Sequence, residues 1–327
     1  AYILQSNSTF KNNIARHGSG GVIKGSSTEK NANIYVKFCQ FMNNTAGESG
    51  GVTYILNNLK FLAVKCLIAN NMAIKNGGGG LFAGAEKMWN IGCYFIKNSA
   101  LYGGAIHVFS GGITNIRCYF VKNVVKSTLR FQHGAGGGIE ISNAKYLHNV
   151  HTKFIENHGM NGGGGISVRV SIKTMHIISC TCISNTAESA GGFLSIENRK
   201  KQVDLFFSSH SLYFNNKAII SSSLDSIIQG GAIYVSNVYN FSNSYSKFVQ
   251  NMAGLTGQGG GAISLTTHLI LNSHCMFLNN TGSEGGALNL VSNYKILNIY
   301  SQFIGNVAIA GGGAIRGRGT VYGRKLR

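Results

Sequence analysis

The stretch "FVQNMAGLTGQGGGAISL", Phe248–Leu265, decides the fold because it recurs along the chain. "FLNNTGSEGGALNL" stands at Phe277–Leu290, "FIGNVAIAGGGAIRG" at Phe303–Gly317 and "YFIKNSALYGGAIHV" at Tyr94–Val108. Each carries an aromatic three residues ahead of Asn and then Gly-Gly-Ala-aliphatic. Taking the Asn as marker gives Asn13, Asn44, Asn70, Asn98, Asn123, Asn157, Asn185, Asn216, Asn251, Asn280 and Asn306, a mean period of about 29 residues. That is the period of a solenoid repeat.

Two further columns run with the marker. The aromatic column reads Phe10, Phe41, Leu67, Phe95, Phe120, Phe154, Cys182, Tyr213, Phe248, Phe277, Phe303. Two residues before it stand Ser8, Cys39, Lys65, Cys93, Cys118, Thr152, Cys180, Ser211, Ser246, Cys275 and Ser301, small in every repeat but one. After each Gly pair comes an aliphatic column, Ile23, Thr53, Leu81, Ile106, Ile139, Ile166, Leu194, Ile233, Ile263, Leu288 and Ile315, continued two residues on by Ile55, Val108, Ile141 and their equivalents. The residues between (Lys24, His107, Glu140, Ser167, Ser195, Ser264, Asn289) are mostly polar. Period-two alternation predicts strands with one buried face. No stretch keeps a helical period.

A unit of two or three short strands cannot bury its own apolar face, so coils must stack, with like residues in ladders about 4.8 Å apart. Asn at one turn of every coil can hydrogen-bond along the stack and tolerate left-handed angles. Paired Gly permits sharp bends and close approach. The chain has no Pro, as expected where nearly every backbone N–H joins a ladder. The sequence therefore predicts an all-β, single-stranded parallel β-helix of about eleven coils, one continuous domain over residues 1–327.

The same motifs resemble those of the polymorphic outer membrane proteins of chlamydiae, in which Phe-x-x-Asn alternates with Gly-Gly-Ala-(Ile/Leu/Val). The full second motif stands at Gly103–Ile106, Gly230–Ile233, Gly260–Ile263, Gly285–Leu288 and Gly312–Ile315, and the likeness covers nearly the whole chain. The resemblance implies a right-handed coil and an exported, adhesive passenger segment. The C-terminal membrane barrel of such autotransporters has no counterpart in this sequence.

Composition bounds the function. Hydrophobic residues make up 44% of the chain, enough for a core, while the formal charge of +19 favours anionic partners. No apolar run reaches the eighteen or so residues of a membrane helix. The first repeat begins within a coil, and no capping helix is visible at either end. A piece of a longer chain or end-to-end self-assembly, as in a filament, accounts for this.

Catalytic and metal chemistry find little support. The ten acids include Glu48, Glu188 and Glu284 on distant coils, and Asp204 and Asp225 in one long insertion, without a paired-carboxylate pattern. Of the seven Cys, five (Cys39, Cys93, Cys118, Cys180 and Cys275) share one inward column, where they fill a small buried slot that Ser and Thr fill elsewhere. His148 and His151 face opposite sides of a strand, whereas His148 and His176 share a column and can stack. No metal, cofactor or catalytic residue is assigned.

The distinctive charge lies eight or nine residues past the Gly pair in seven of eleven coils, at Lys30, Lys60, Lys87, Lys145, Lys173, Lys200/Lys201 and Lys295. Such an edge is either a solvated guard against lateral aggregation or a polyanion-binding ridge. Nucleic acid is a poor fit, since no aromatic stacking platform accompanies the lysines. Two insertions, Val124–Ala135 and Lys217–Gln229, are expected to loop outward. The expectation is a structural or adhesive segment of an extracellular or cell-surface protein, with an acidic glycan or a host or neighbouring surface protein as partner. The alternative is a β-helix that binds or degrades acidic polysaccharide.

Overall fold

The computed structural model describes residues 2–27, 32–126, 136–197, 203–219, 228–254, 258–291, 295–317 and 321–324. The eleven aromatic segments form one eleven-stranded sheet of three-residue strands, such as Tyr94–Ile96 and Gln302–Ile304. The residues after each Asn, such as Ser99–Ala100, form a second sheet of eleven two-residue strands. Longer segments such as Leu81–Ile91 and Ile233–Ser244 build a third sheet of seventeen strands. Strand pairing is parallel from coil to coil throughout, and no helix occurs among the described residues. The protein is a parallel β-helix.

The coil closes because two corners adopt left-handed backbone angles. Arg117 (φ 53°) and Lys122 (φ 54°) do so in one coil, His151 (φ 50°) and Glu156 (φ 52°) in the next. Left-handed angles in non-Gly residues cost about 1–2 kcal/mol each. The corner N–H groups still join the ladder, Arg117 N to Val150 O at 2.9 Å and Lys122 N to Ile155 O at 3.0 Å, which offsets that cost.

Next to the second corner runs the Asn ladder. Asn98 is fully buried, and its Nδ2 donates to Ile68 O at 2.8 Å and to Asn123 Oδ1 at 3.0 Å. Its backbone N–H donates to the same oxygen at 3.0 Å. This arrangement recurs from Asn13 to Asn306. It corrects the sequence reading of the third repeat, where Asn70 is the exposed left-handed corner residue (φ 55°) and Asn71 is the ladder member. With that one-residue shift, Ile68 rather than Leu67 pairs with Phe41 and Phe95. Cys66 then replaces Lys65 in the small column, which has no exception left. Two adjacent Asn made the repeat ambiguous; only the buried one can complete the axial bonds.

The aromatic column stacks ring on ring, Phe95 on Phe120 at 4.7 Å and Phe120 on Phe154 at 4.8 Å. Cys182 interrupts it. There Phe193, in the slot that Ala105, Ala232 and Ala262 fill elsewhere, turns its ring into the gap, 5.2 Å from Phe154 and 5.6 Å from Tyr213. Phe193 and Cys182 are both fully buried, so a small residue and a large one have exchanged places.

Two expectations need revision. The polar positions of the Gly-Gly strands are not solvated: His107, Glu140, Ser167, Ser195, Ser264 and Asn289 are all buried. The turns leading into the strands lie against them, and Gly136 N donates to Glu140 Oε2 at 3.0 Å. Gly77 leaves no room for a Cβ beside the His107 ring. The two insertions also begin within the regular coil, because Val124–Val125 and Lys217–Ala218 pair as strands. Ile228–Gly230 pairs with Gln258–Gly260, while residues 127–135 and 220–227 lie outside the described residues.

Candidate functional site

The lysines divide into two groups at the corner of the long-strand sheet. Lys60 and Lys87 pair in register. Lys87 also pairs with Gly112, and Gly112 pairs with Tyr146, so Lys145 stands one position out of that column. Lys145 and Lys173 are neighbours, each flanked by the pairs Ala144–Ile172 and Tyr146–Thr174. Asp204 follows Lys173, since Thr174 pairs with Leu205. Lys295 pairs with Leu269. Lys30, Lys200 and Lys201 lie outside the described residues.

Counting from the Gly pair fails because the register shifts at this corner, between Ala85 and Lys87, between Ile141 and Asn143, and between Ser236 and Val238. Each shift makes one strand a residue longer than its partner across the corner. Acids stand beside two of the lysines, Glu86 next to Lys87 and Asp204 one coil beyond Lys173. Asp204 sits in strand Val203–Ser209 and not in an insertion shared with Asp225, which lies outside the described residues. Among the described residues, the longest run of consecutive coils carrying these lysines is two.

At Lys145 and Lys173 the corner is concave. A depression of about 390 Å³ is lined by Ser110, Gly111, Asn143, Lys145, Ser171, Lys173 and Asp204, with Ala144 and Ile172 as its floor. Gly111 makes it, since its left-handed turn (φ 90°) lets its carbonyl accept from Lys145 N at 2.6 Å. Ser171 Oγ donates to Asn143 Oδ1 at 2.5 Å. Both lysines are exposed, and neither they nor Asp204 belongs to an ion pair among the described residues. Alongside, Tyr146 stacks on His148 at 4.8 Å, and His148 stacks on His176 at 4.6 Å, as their shared column led us to expect. Burial holds both imidazoles below their ordinary pKa, and for His148 the neighbouring His176 adds to the effect.

A second cluster lies inside. Glu140 is fully buried and meets Arg169 Nε at 2.7 Å, and the Arg169 guanidinium lies 4.6 Å from the centre of the Tyr102 ring. Burial pushes the Glu140 carboxyl up to about 7 despite that guanidinium. His107 Nε2 is 2.8 Å from Ser142 Oγ, the geometry of a base beside a nucleophile. Its surroundings argue against that role. Burial, with the charge of Arg169, lowers the imidazole to about 3, and among the described residues Nδ1 has no hydrogen-bond partner to orient the ring. The cluster is a polar clamp between coils.

Two features escaped the sequence reading. A second Asn ladder links Asn90, Asn115 and Asn149, and reappears at Asn243, Asn272 and Asn298. Its signal was an Asn three residues before the small column. The other feature is an exposed column of rings at the first left-handed corner, His210, Tyr245, His274 and Tyr300, spaced 4.8–5.0 Å. Six of the seven cysteines fill the small column, and all seven are buried and unpaired. Burial pushes the Cys180 thiol up to about 12, so it stays protonated and unreactive. Among the described residues no group of three or more His, Cys, Asp or Glu could hold a metal ion. Among them, too, no helix is long and apolar enough to cross a membrane. Comparison with family models, with curated proteins and with solved structures finds no match to this chain.

Proposed function

We propose that this chain is a structural and adhesive segment of an extracellular surface protein, a rigid coil that presents side chains to an acidic glycan. The observation that carries this reading is the contrast between a buried Asn ladder that repeats along the stack and a lysine corner that does not. The Asn ladder runs from Asn13 to Asn306, whereas the outward corner changes from Lys87 to Gly112, Tyr146 and Thr174 over successive coils. Repetition within gives stiffness, and variation outside gives one place on the surface an identity of its own. The Phe-x-x-Asn and Gly-Gly-Ala alternation supports a chlamydial-type surface passenger, and the charge of +19 supports an anionic partner.

The test is adhesion under flow. Beads coated with the full chain are passed over surfaces bearing an acidic glycan, its carboxyl-reduced neutral form, or no glycan. Retention on the acidic surface alone is expected, and equal retention on all three surfaces would overturn the reading. Binding of acidic polysaccharide in solution is a second function that the Lys145–Lys173 depression favours, because its charges form no ion pair among the described residues.

A further inference from the structure

We propose that the depression between Lys145, Lys173 and Asp204 is a subsite for a single carboxylated sugar, such as a uronic acid, within a glycan chain. The inference rests on the acidic-glycan reading above and replaces a long polyanion ridge with one short site. Lys145 and Lys173 lie on adjacent coils, about 4.8 Å apart along the stack. At that spacing two ammonium groups can each donate to one oxygen of the same carboxylate. Ala144 and Ile172, both buried, give an apolar floor for the C–H face of a sugar ring. Asn143 Oδ1 is engaged by Ser171, which leaves the Asn143 amide N–H groups as donors and the Ser171 oxygen as an acceptor for ring hydroxyls.

Asp204 sets the selectivity. One coil beyond the lysine pair, it accepts hydroxyl donors and repels a second anion. A densely sulfated chain would place its next charge against this carboxylate, whereas an isolated carboxylate flanked by hydroxyls would not. The volume of about 390 Å³ falls in the range of small-ligand sites, roughly 300–1,000 Å³.

The experiment is calorimetric titration of the full chain with hexagalacturonate, with its carboxyl-reduced counterpart and with heparin, at 50 and 200 mM salt. Hexagalacturonate should bind and the reduced form should not. Lys145→Gln and Lys173→Gln should each weaken binding about tenfold or more, as loss of a charged hydrogen bond does. Lys60→Gln with Lys87→Gln should change it less than about twofold, since those side chains lie outside the depression. Two contacts predict an affinity loss of about tenfold or less between the two salt levels, against roughly a thousandfold for a seven-lysine ridge. Asp204→Asn should raise heparin affinity relative to hexagalacturonate.

If the wild type binds neither acidic glycan, the adhesive reading falls and the subsite falls with it. If it binds hexagalacturonate but Lys145→Gln and Lys173→Gln bind equally well, only the subsite is overturned. Equal losses from the Lys60/Lys87 pair would overturn it too, and would show that net charge alone attracts the glycan. Circular dichroism of each variant checks that the coil is intact.

Discussion

At one corner of each coil Asn123, Asn157 and Asn185 follow one another in a hydrogen-bonded column. At another corner of the same coils the sequence runs Gly112, Tyr146, Thr174. The first corner is buried, and each amide is satisfied by the amide of the next coil together with backbone groups of its neighbours, so any other residue leaves donors and acceptors unpaired. The second faces water, where the backbone tolerates an extra residue and the side chain has no axial duty. Residue identity is therefore set where a coil must match its neighbour and is free where it need not.

The strongest way to break this comparison is to disturb the buried corner. Asn157→Leu should remove the bonds to Phe120 O and Asn185 Oδ1 and strand the Asn123 donors. With about 1–3 kcal/mol for each buried group left unsatisfied, a loss of at least ~3 kcal/mol is expected in urea unfolding. Lys145→Gln on the same coil should stay within about 0.5 kcal/mol. Similar losses for the two variants would show that the corners do not differ as described.

Of nearly equal size is the effect at the exchanged pair. Phe193→Ala empties the slot between Phe154 and Tyr213 and should cost about 3–5 kcal/mol. Cys182→Phe alone overfills the same space, at about 1–3 kcal/mol. Combined, the two substitutions restore the arrangement of the other coils, so the double variant should be more stable than the sum of its parts. Simple additivity in the unfolding midpoints would refute the exchange.

A smaller effect concerns pH. The Glu140 carboxyl, raised to about 7 from 4.5, favours folding in its protonated form; its contribution is complete below pH 4.5 and is lost as pH rises to 7. His107, lowered to about 3 from 6.5, favours folding when neutral; its contribution is complete above pH 6.5 and is lost as pH falls. Between pH 4.5 and 6.5 the two slopes oppose each other, each at most about 1.4 kcal/mol per pH unit. Glu140→Gln should therefore leave a stability that rises with pH across this window. A variant as flat as the wild type would show that His107 does not titrate as its burial implies.

The smallest effect is expected at Lys60 and Lys87. Their joint replacement by Gln should leave the unfolding midpoint unchanged within about 0.5 kcal/mol.

These differences also explain what could be read in advance. The aliphatic column from Ile23 to Ile315 pairs without a slip, because each of its members must lie over the last. Asn70 was mistaken for Asn71 since the motif alone cannot tell an exposed corner amide from the buried one beside it. The lysines seemed to form one ridge because bulges, which depend on backbone contacts between coils, leave no mark in residue counts. Burial of Glu140 and His107 was equally hidden: polar residues in alternation signal a wet face unless neighbouring turns cover them. The depression at Lys145 needed both the bulge and the turn at Gly111, so nothing in its local sequence announced it.

The Asn ladder has one more consequence. Asn98 and Asn123 are 25 residues apart and Asn216 and Asn251 are 35 apart, yet both amide bonds measure 3.0 Å. Pitch and perimeter are thus decoupled: the amides fix the height of every shelf, while its depth can grow without moving the shelves above or below. Such an architecture is an accommodating host for grafted segments. Foreign loops spliced between an Asn and the next Gly pair would be displayed at known heights on a common axis, with spacing set by the coil and not by the graft.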